Sequence, residues 1–178
     1  MDIKEAIKLI EGALPEKVHH AQWADFGCGG GTFTIALSHL LGDESKIYAI
    51  DRQNQDIHSL THAEIKFIKA DFSNDPLPLS NLDGILMANS LHYIKDKNVL
   101  VRKIGNYLKA DGQVIVVEYD TAVANQWVPY PMPFNEMKDF FYTNGFNTVE
   151  KIGEYNSIFN SNKMYACVSR RSSRNELI

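Results

Sequence analysis

Cysteine is scarce in this chain of 178 residues: Cys28 and Cys167 are the only two. They lie too far apart for a zinc pattern, which needs close Cys/His pairs, and two thiols do not make a disulfide framework, so no metal is expected. A reducing compartment, the cytoplasm, is the expected location. Long apolar runs are also missing. The longest, such as Val114–Val117, fall far short of a membrane span, so no stable membrane insertion is expected. The N-terminus, Met1-Asp2-Ile3-Lys4-Glu5, lacks the apolar stretch of a signal peptide. Positive charge is in deficit: 18 Lys and Arg against 22 Asp and Glu leave −4, which argues against a nucleic-acid partner. What is present is a 44% hydrophobic fraction, enough to exclude a wholly disordered chain. The length suits one domain with a self-sufficient core.

Periodicity alternates between helix and strand. Ile3, Ala6, Ile7 and Ile10 make one helical stripe that ends near Gly12. Gln22–Phe26 reads as a strand running into the cluster Gly27-Cys28-Gly29-Gly30-Gly31. Phe33, Ala36, Leu37 and Leu40 then mark a second helix. Strands are expected at Lys46–Ile50, ending at Asp51, at Ile65–Ala70, ending at Asp71, and at Gly84–Ala88. A helix follows over Asp96–Leu108, then a turn at Asp111-Gly112 and a strand at Gln113–Glu118. Thr121–Pro133, with Trp127, Tyr130 and three prolines, reads as an irregular aromatic loop. Phe134–Asn144 reads as a helix with Gly145 at its C′ position, and strands follow at Thr148–Tyr155 and Met164–Ser169. Apolar strands that alternate with helices imply a parallel sheet covered on both faces.

A glycine cluster between a strand and a helix lets a ligand approach the backbone, and the free amides of the helix start favour polar or anionic atoms. The dinucleotide fingerprint Gly-x-Gly-x-x-Gly is broken here, because Thr32 stands at the third place. The spacing is instead Asp25-x-Gly27-x-Gly29-x-Gly31. Asp51 lies 24 residues beyond Gly27, where a carboxylate can accept hydrogen bonds from ribose hydroxyls. Asp71 ends the next strand, with Phe72 beside it. Taken singly, each aspartate also reads as a turn former or helix cap.

These segments resemble the motifs of class I S-adenosylmethionine-dependent methyltransferases. Residues 23–32 look like motif I, 47–52 like the acidic second motif, 68–72 like the third, 82–93 like the fourth, and 108–118 like the turn and fifth strand. The resemblance is to the small-molecule branch that includes quinone-biosynthesis methyltransferases. It implies a Rossmann-like, doubly wound α/β fold: a seven-stranded, mostly parallel sheet with an antiparallel last strand. Residues 21–169 would form the methyltransferase domain, 1–20 a helix over the sheet or the site, and 170–178 a disordered tail. The resemblance also implies S-adenosylmethionine as cofactor. Asp25 and the backbone of Gly27, Cys28, Gly29 and Gly31 would lie near its methionine part, and Asp51 would hold the ribose. Arg52 would sit beside the adenosine, Asp71 would take the adenine amino group, Phe72 would flank the ring, and Asn89 would contribute its backbone.

The expected reaction is in-line transfer of a methyl group to a small-molecule or lipid-like acceptor, where positioning supplies much of the rate. A base is needed only when the acceptor must lose a proton. His92 and Glu118 are the candidates for that role, with Tyr119, Asp120 and Tyr130 near them at strand ends or in the aromatic loop. The plainer reading makes His92 a helix-start residue bonded to backbone, and Glu118 the end of a strand. Tyr93, Tyr119, Trp127 and Tyr130 are candidates for substrate contact, against a plainer role in packing. Cys28 is expected to pack rather than react. Only about 22 residues precede the glycine loop and the segment after the fifth strand is short. The site could therefore be open, covered by the first helix, or completed by a second subunit in a homodimer. Two other functions compete: a non-catalytic S-adenosylmethionine-binding subunit that activates a partner, and a nicotinamide oxidoreductase.

Overall fold

The computed structural model describes residues 1–14, 16–57, 63–156 and 163–171. Seven strands make one sheet: β1 (Gln22–Phe26), β2 (Lys46–Asp51), β3 (Glu64–Lys69), β4 (Leu82–Ala88), β5 (Leu108–Tyr119), β6 (Thr148–Asn156) and β7 (Lys163–Arg170), in the order β3-β2-β1-β4-β5-β7-β6. The pairings from β3 across to β5 are parallel, and β7 runs antiparallel between β5 and β6. This is the expected Rossmann-like sheet with an antiparallel last strand. The chain leaves β1 toward β2 on one side and later returns to β4 on the other. The carboxyl ends of β1 and β4 therefore flank the crevice where such sheets hold ligands.

Both faces of the sheet are buried, because adjacent residues of a strand point to opposite sides. Phe26, Ile85, Met87, Val114 and Val116 join one core with α3 (Lys97–Tyr107) and α4 (Phe134–Thr143). Trp23, Leu86, Ile115, Val117 and Val168 join the other with α1 (Ile3–Ile10) and α2 (Thr32–Leu40). Trp23 is fully buried against Gly84, where any Cβ would collide with the indole ring. Helix α1 buries Ala6, Leu9 and Ile10. Its start is closed by a capping box: Asp2 accepts from the Glu5 amide at 2.9 Å, and Glu5 accepts from the Asp2 amide at 2.7 Å. Glu5 also accepts from the Tyr155 hydroxyl on β6 at 3.1 Å.

Some boundaries differ from the sequence expectation for local reasons. Strand β4 begins at Leu82, and Asp96 is the N-cap of α3 rather than its first residue. The turn at Asp111-Gly112 lies within β5: Leu108 pairs with Leu82 and Gln113 with Gly84, so four residues loop out between them. Gly145 takes φ +85° at the end of α4, as a C′ glycine should. Strand β7 continues through Arg170, one residue into the expected tail, while residues 172–178 lie outside the described residues. Among the described residues, no helix is long and apolar enough to cross a membrane. No group of His, Cys, Asp and Glu there could hold a metal ion.

Candidate cofactor and acceptor site

The glycine loop is pinned at its start and open at its middle. The amides of Gly27 and Cys28 both donate to the Ile50 carbonyl of β2, at 2.8 and 3.0 Å. Gly27 has φ +82°, and a Cβ there would stand 2.6 Å from that of Ser90, so only glycine fits. At Gly29 and Gly30 an added Cβ would meet nothing within 4 Å, so the backbone itself is presented to the crevice. Helix α2 starts immediately afterwards and adds its free amides. Loop and strand ends enclose a cleft of about 310 Å³ lined by Asp25, Cys28, Gly30, Thr32, Ala88 and Asn89, among others.

Asp25 ends β1 with only 1% of its surface exposed. Its Oδ2 accepts from the Thr34 hydroxyl at 2.6 Å, while Oδ1 is buried with no partner among the described residues. Burial pushes its pKa up to about 7; the Thr34 bond opposes the rise and the negative charge of Asp51 adds to it. Asp51 braces the loop: Oδ2 accepts from the Gly29 amide at 3.0 Å and Oδ1 from the Gln53 amide at 2.9 Å. Each of those oxygens keeps further acceptor capacity. Asn89 follows β4 with φ +53°. Its amide already donates to the Val117 carbonyl at 2.9 Å, so its side chain, not its N–H, is the open group: Oδ1 is buried without a partner among the described residues.

Asp71 is engaged with its own turn. Oδ1 accepts from the amide and hydroxyl of Ser73, and Oδ2 accepts from Asn74 at 3.1 Å and lies 3.9 Å from Arg52. Burial opposes ionisation of Asp71, but the Ser73 and Asn74 bonds with the Arg52 charge outweigh it and hold the carboxyl below its ordinary range. Arg52 is largely exposed. The Phe72 ring stacks on Phe26 with centroids 5.4 Å apart. Burial pushes the Cys28 thiol up, with Asp25 and Asp51 adding to it, which leaves it a packing group.

Just beyond the end of β4, two candidates from different elements come together. His92 lies in a short 3-10 turn, Leu91–Tyr93, three residues beyond Asn89, and Glu118 stands near the end of β5. Glu118 Oε1 accepts from the His92 amide at 3.0 Å, and Oε2 lies 2.6 Å from His92 Nδ1. Both side chains are 3% exposed. Glu118 thus engages the backbone amide and the Nδ1 side of His92 together, and Nε2 has no hydrogen-bond partner among the described residues. The rings of Tyr93 and Tyr119 flank the imidazole at 4.3 and 6.2 Å. Burial pushes the Tyr119 hydroxyl up, as do the charges of Glu118 and Tyr93.

Sequence reasoning missed Thr34, Ser90 and Lys97. Thr34 was within reach, since a helix starting at Thr32 turns its first residues toward the end of β1. The Ser90 hydroxyl donates to the Phe26 carbonyl at 2.6 Å and holds β1 to β4. Lys97, at the start of α3, donates to the carbonyls of Ile94 at 2.9 Å and Tyr130 at 2.8 Å, and so ties the aromatic segment to the His92 turn. Burial pulls the Lys97 pKa down, against the opposing charge of Glu118. The Tyr130 amide donates to the His92 carbonyl at 3.0 Å. Tyr130 is half exposed and Trp127 is 70% exposed. Asp120 serves structure: Oδ1 accepts from the Phe134 amide at 2.9 Å and Oδ2 faces Lys151 at 3.6 Å.

Residues 18–163 match the family described as Methyltransferase domain. Among curated proteins, the chain is 22% identical over 138 residues to the ubiquinone/menaquinone biosynthesis C-methyltransferase UbiE of Pasteurella multocida, covering 73% of this chain and 48% of that protein. The chain thus spans about half the length of that relative. Among solved structures, one similar fold is the 1,6-didemethyltoxoflavin-N1-methyltransferase of Burkholderia thailandensis, solved with 1,6-didemethyltoxoflavin and S-adenosylhomocysteine. The TM-score is 0.69 at 14% identity, over 96% of this chain and 78% of that one. Another is a SAM-dependent methyltransferase of Aquifex aeolicus, with TM-score 0.65 and 16% identity over 97% and 100% of the two chains.

Proposed function

The chain belongs to the methyltransferase-domain family, and from that premise we propose that it transfers a methyl group from S-adenosylmethionine to a small-molecule acceptor. The observation that carries the reading is the pairing of an open glycine backbone with two buried, unpartnered oxygens, Asp25 Oδ1 and Asn89 Oδ1. A buried oxygen without a partner is unfavourable by about 1–3 kcal/mol, so both await a donor. An ammonium group supplies such donors, and a carboxylate suits the amides at the start of α2. S-adenosylmethionine carries both. When bound, it supplies an electrophilic methyl group on a positively charged sulfur.

The residues divide the work. Asp25 and Asn89 would hold the amino-acid end, with Cys28 and the backbone of Gly27, Gly29 and Gly31 shaping the pocket. Asp51 would hold the ribose through its remaining lone pairs while it braces Gly29. Arg52 would flank the adenosine. Asp71, bound into its turn, would act by setting the path of Phe72. His92, oriented by Glu118, would face the acceptor, and Tyr93, Tyr119, Trp127 and Tyr130 would frame it. These groups bind, orient and exclude water, which are the contributions an in-line displacement requires.

Calorimetric titration with S-adenosylmethionine, S-adenosylhomocysteine and NADH tests this directly. Micromolar binding of the first two and none of the third is expected. Binding of NADH alone, or of none of the three, would overturn the reading.

A further inference from the structure

Resting on that reading, we infer that the acceptor is a neutral aromatic or enolic hydroxyl, and that His92 Nε2 is the base that takes its proton. The argument begins with the asymmetry of the His92–Glu118 pair. A histidine used only as a structural strut has hydrogen bonds at both nitrogens. Here Glu118 engages the backbone amide and Nδ1 of His92 together, while Nε2 is left without a partner among the described residues. That arrangement fixes the tautomer with the proton on Nδ1 and the lone pair on Nε2. The base also sits at the correct edge of the sheet, three residues from Asn89, which lines the cofactor cleft.

The surroundings select the acceptor. The groups against the imidazole are Tyr93 on its own turn and Glu118 and Tyr119 on β5; the Tyr130 amide donates to the His92 carbonyl, and Lys97 and Tyr165 lie within the field of Glu118. Lys97 is tied to two carbonyls and so is not offered to an incoming anion. Glu118 repels one. A carboxylate acceptor would arrive ionised, unwelcome beside Glu118 and with no proton to give. A thioether has no proton at all, which leaves Nε2 without a task. A planar ring that carries a hydroxyl suits the flanking Tyr93 and Tyr119 rings. In the step itself, the hydroxyl O–H bond breaks and its proton passes to Nε2. The oxygen lone pair forms the new O–CH₃ bond as the C–S pair remains with sulfur. The positive charge of the sulfonium donor thus ends on the imidazolium, beside Glu118, and atoms and charge balance.

Glu118 is a positioning residue in this scheme, and the test separates its part from a merely structural one. Ring ¹⁵N spectra of the protein saturated with S-adenosylhomocysteine, with His92 assigned by its loss in His92→Gln, should show a protonated Nδ1 and a bare Nε2. Glu118→Gln should shift the balance toward the Nε2–H form. A wild-type Nε2–H tautomer would overturn the proposal whatever the activity. The second arm is turnover with S-adenosylmethionine on a pool of phenols, catechols, enols, anilines, thioethers and benzoates, with products identified by mass. Methylation on oxygen of a hydroxyl is expected. It should be lowered at least 100-fold in His92→Gln near neutral pH, within the range of a general base. In His92→Gln the remaining rate should rise toward pH 10, where a phenol ionises by itself. Products on nitrogen, sulfur or carboxylate, no product from any class, or an unchanged His92→Gln profile would overturn it. Failure to bind S-adenosylmethionine by calorimetry would instead sink the reading on which the inference rests.

Discussion

Replacing Asp25 with asparagine should stabilise the protein and disable its cofactor site at once. Asp25 is 1% exposed, and its carboxyl ionises at about 7 instead of 3.8. In the unfolded chain the same group ionises near its ordinary value, so between pH 4 and pH 7 the folded state binds the extra proton. Stability therefore falls as pH rises through this window. At about 1.4 kcal/mol per pH unit, the penalty on the free protein is about 2 kcal/mol at pH 5 and about 4 kcal/mol at pH 8. The asparagine side chain would carry no charge, and its carbonyl could still accept from the Thr34 hydroxyl. Asp25→Asn should then raise the urea-unfolding free energy by up to about 4 kcal/mol at pH 8, roughly 10 °C in Tm, with a smaller gain at pH 5. Binding runs the other way. An ammonium group beside Asp25 favours its ionised form, so affinity for S-adenosylhomocysteine should fall about tenfold from pH 8 to pH 6 in the wild type. In Asp25→Asn it should be weak and nearly flat over that range. A variant no more stable than wild type at pH 8, or a wild-type affinity that ignores pH, would refute the reasoning.

Three further outcomes are expected. If Asp51 holds the ribose as proposed, Asp51→Ala should weaken S-adenosylhomocysteine binding at least tenfold, about 1.4 kcal/mol; a folded variant with wild-type affinity would show that Asp51 does not touch the ligand. Gly84→Ala places a methyl group against the Trp23 ring inside a packed core and should lower urea stability by about 1–3 kcal/mol. A loss under half a kcal/mol (about the scatter of surface changes) would mean that the indole has room to move. Lys97→Met leaves the Ile94 and Tyr130 carbonyls short of a donor and should speed hydrogen exchange across residues 121–133 more than elsewhere; uniform exchange across the chain would rule out the tie.

The sheet was legible because each strand carries its own signal. Gln22–Phe26 runs into glycines, Lys46–Asp51 ends in an acid and Asp71 follows β3 by two residues, and the apolar run before Glu118 is buried on both faces. The open backbone of the glycine loop followed from composition, since positive φ there favours glycine. Side-chain partnerships were not legible, because they depend on which strands become neighbours. His92 and Glu118 are 26 positions apart, and only the pairing of β4 with β5 brings them to 2.6 Å. Asp71 shows the opposite limit. A strand-end aspartate has the same spelling whether or not it also closes its own turn, and only the structure shows Asp71 bonded to Ser73 and Asn74. That the Asn89 amide is taken by Val117, leaving its carbonyl and side chain for a ligand, likewise shows only once β4 lies beside β5.

The bond between Glu5 and Tyr155 joins positions 150 residues apart. Helix α1 leaves the ribosome well before β6, the strand that forms part of its seat. Gly153 on that strand has no side chain because the Leu9 carbonyl lies where its Cβ would be, at 2.6 Å. At about 5–20 residues per second, a ribosome leaves α1 waiting roughly 7–30 s for its partner. Throughout that interval Ala6, Leu9 and Ile10 have only part of their cover, and the closure that finally seats them spans most of the chain. The seat of α1 is therefore complete only once the chain through Tyr155 is available, which ties the docking of this helix to the pairing of β6.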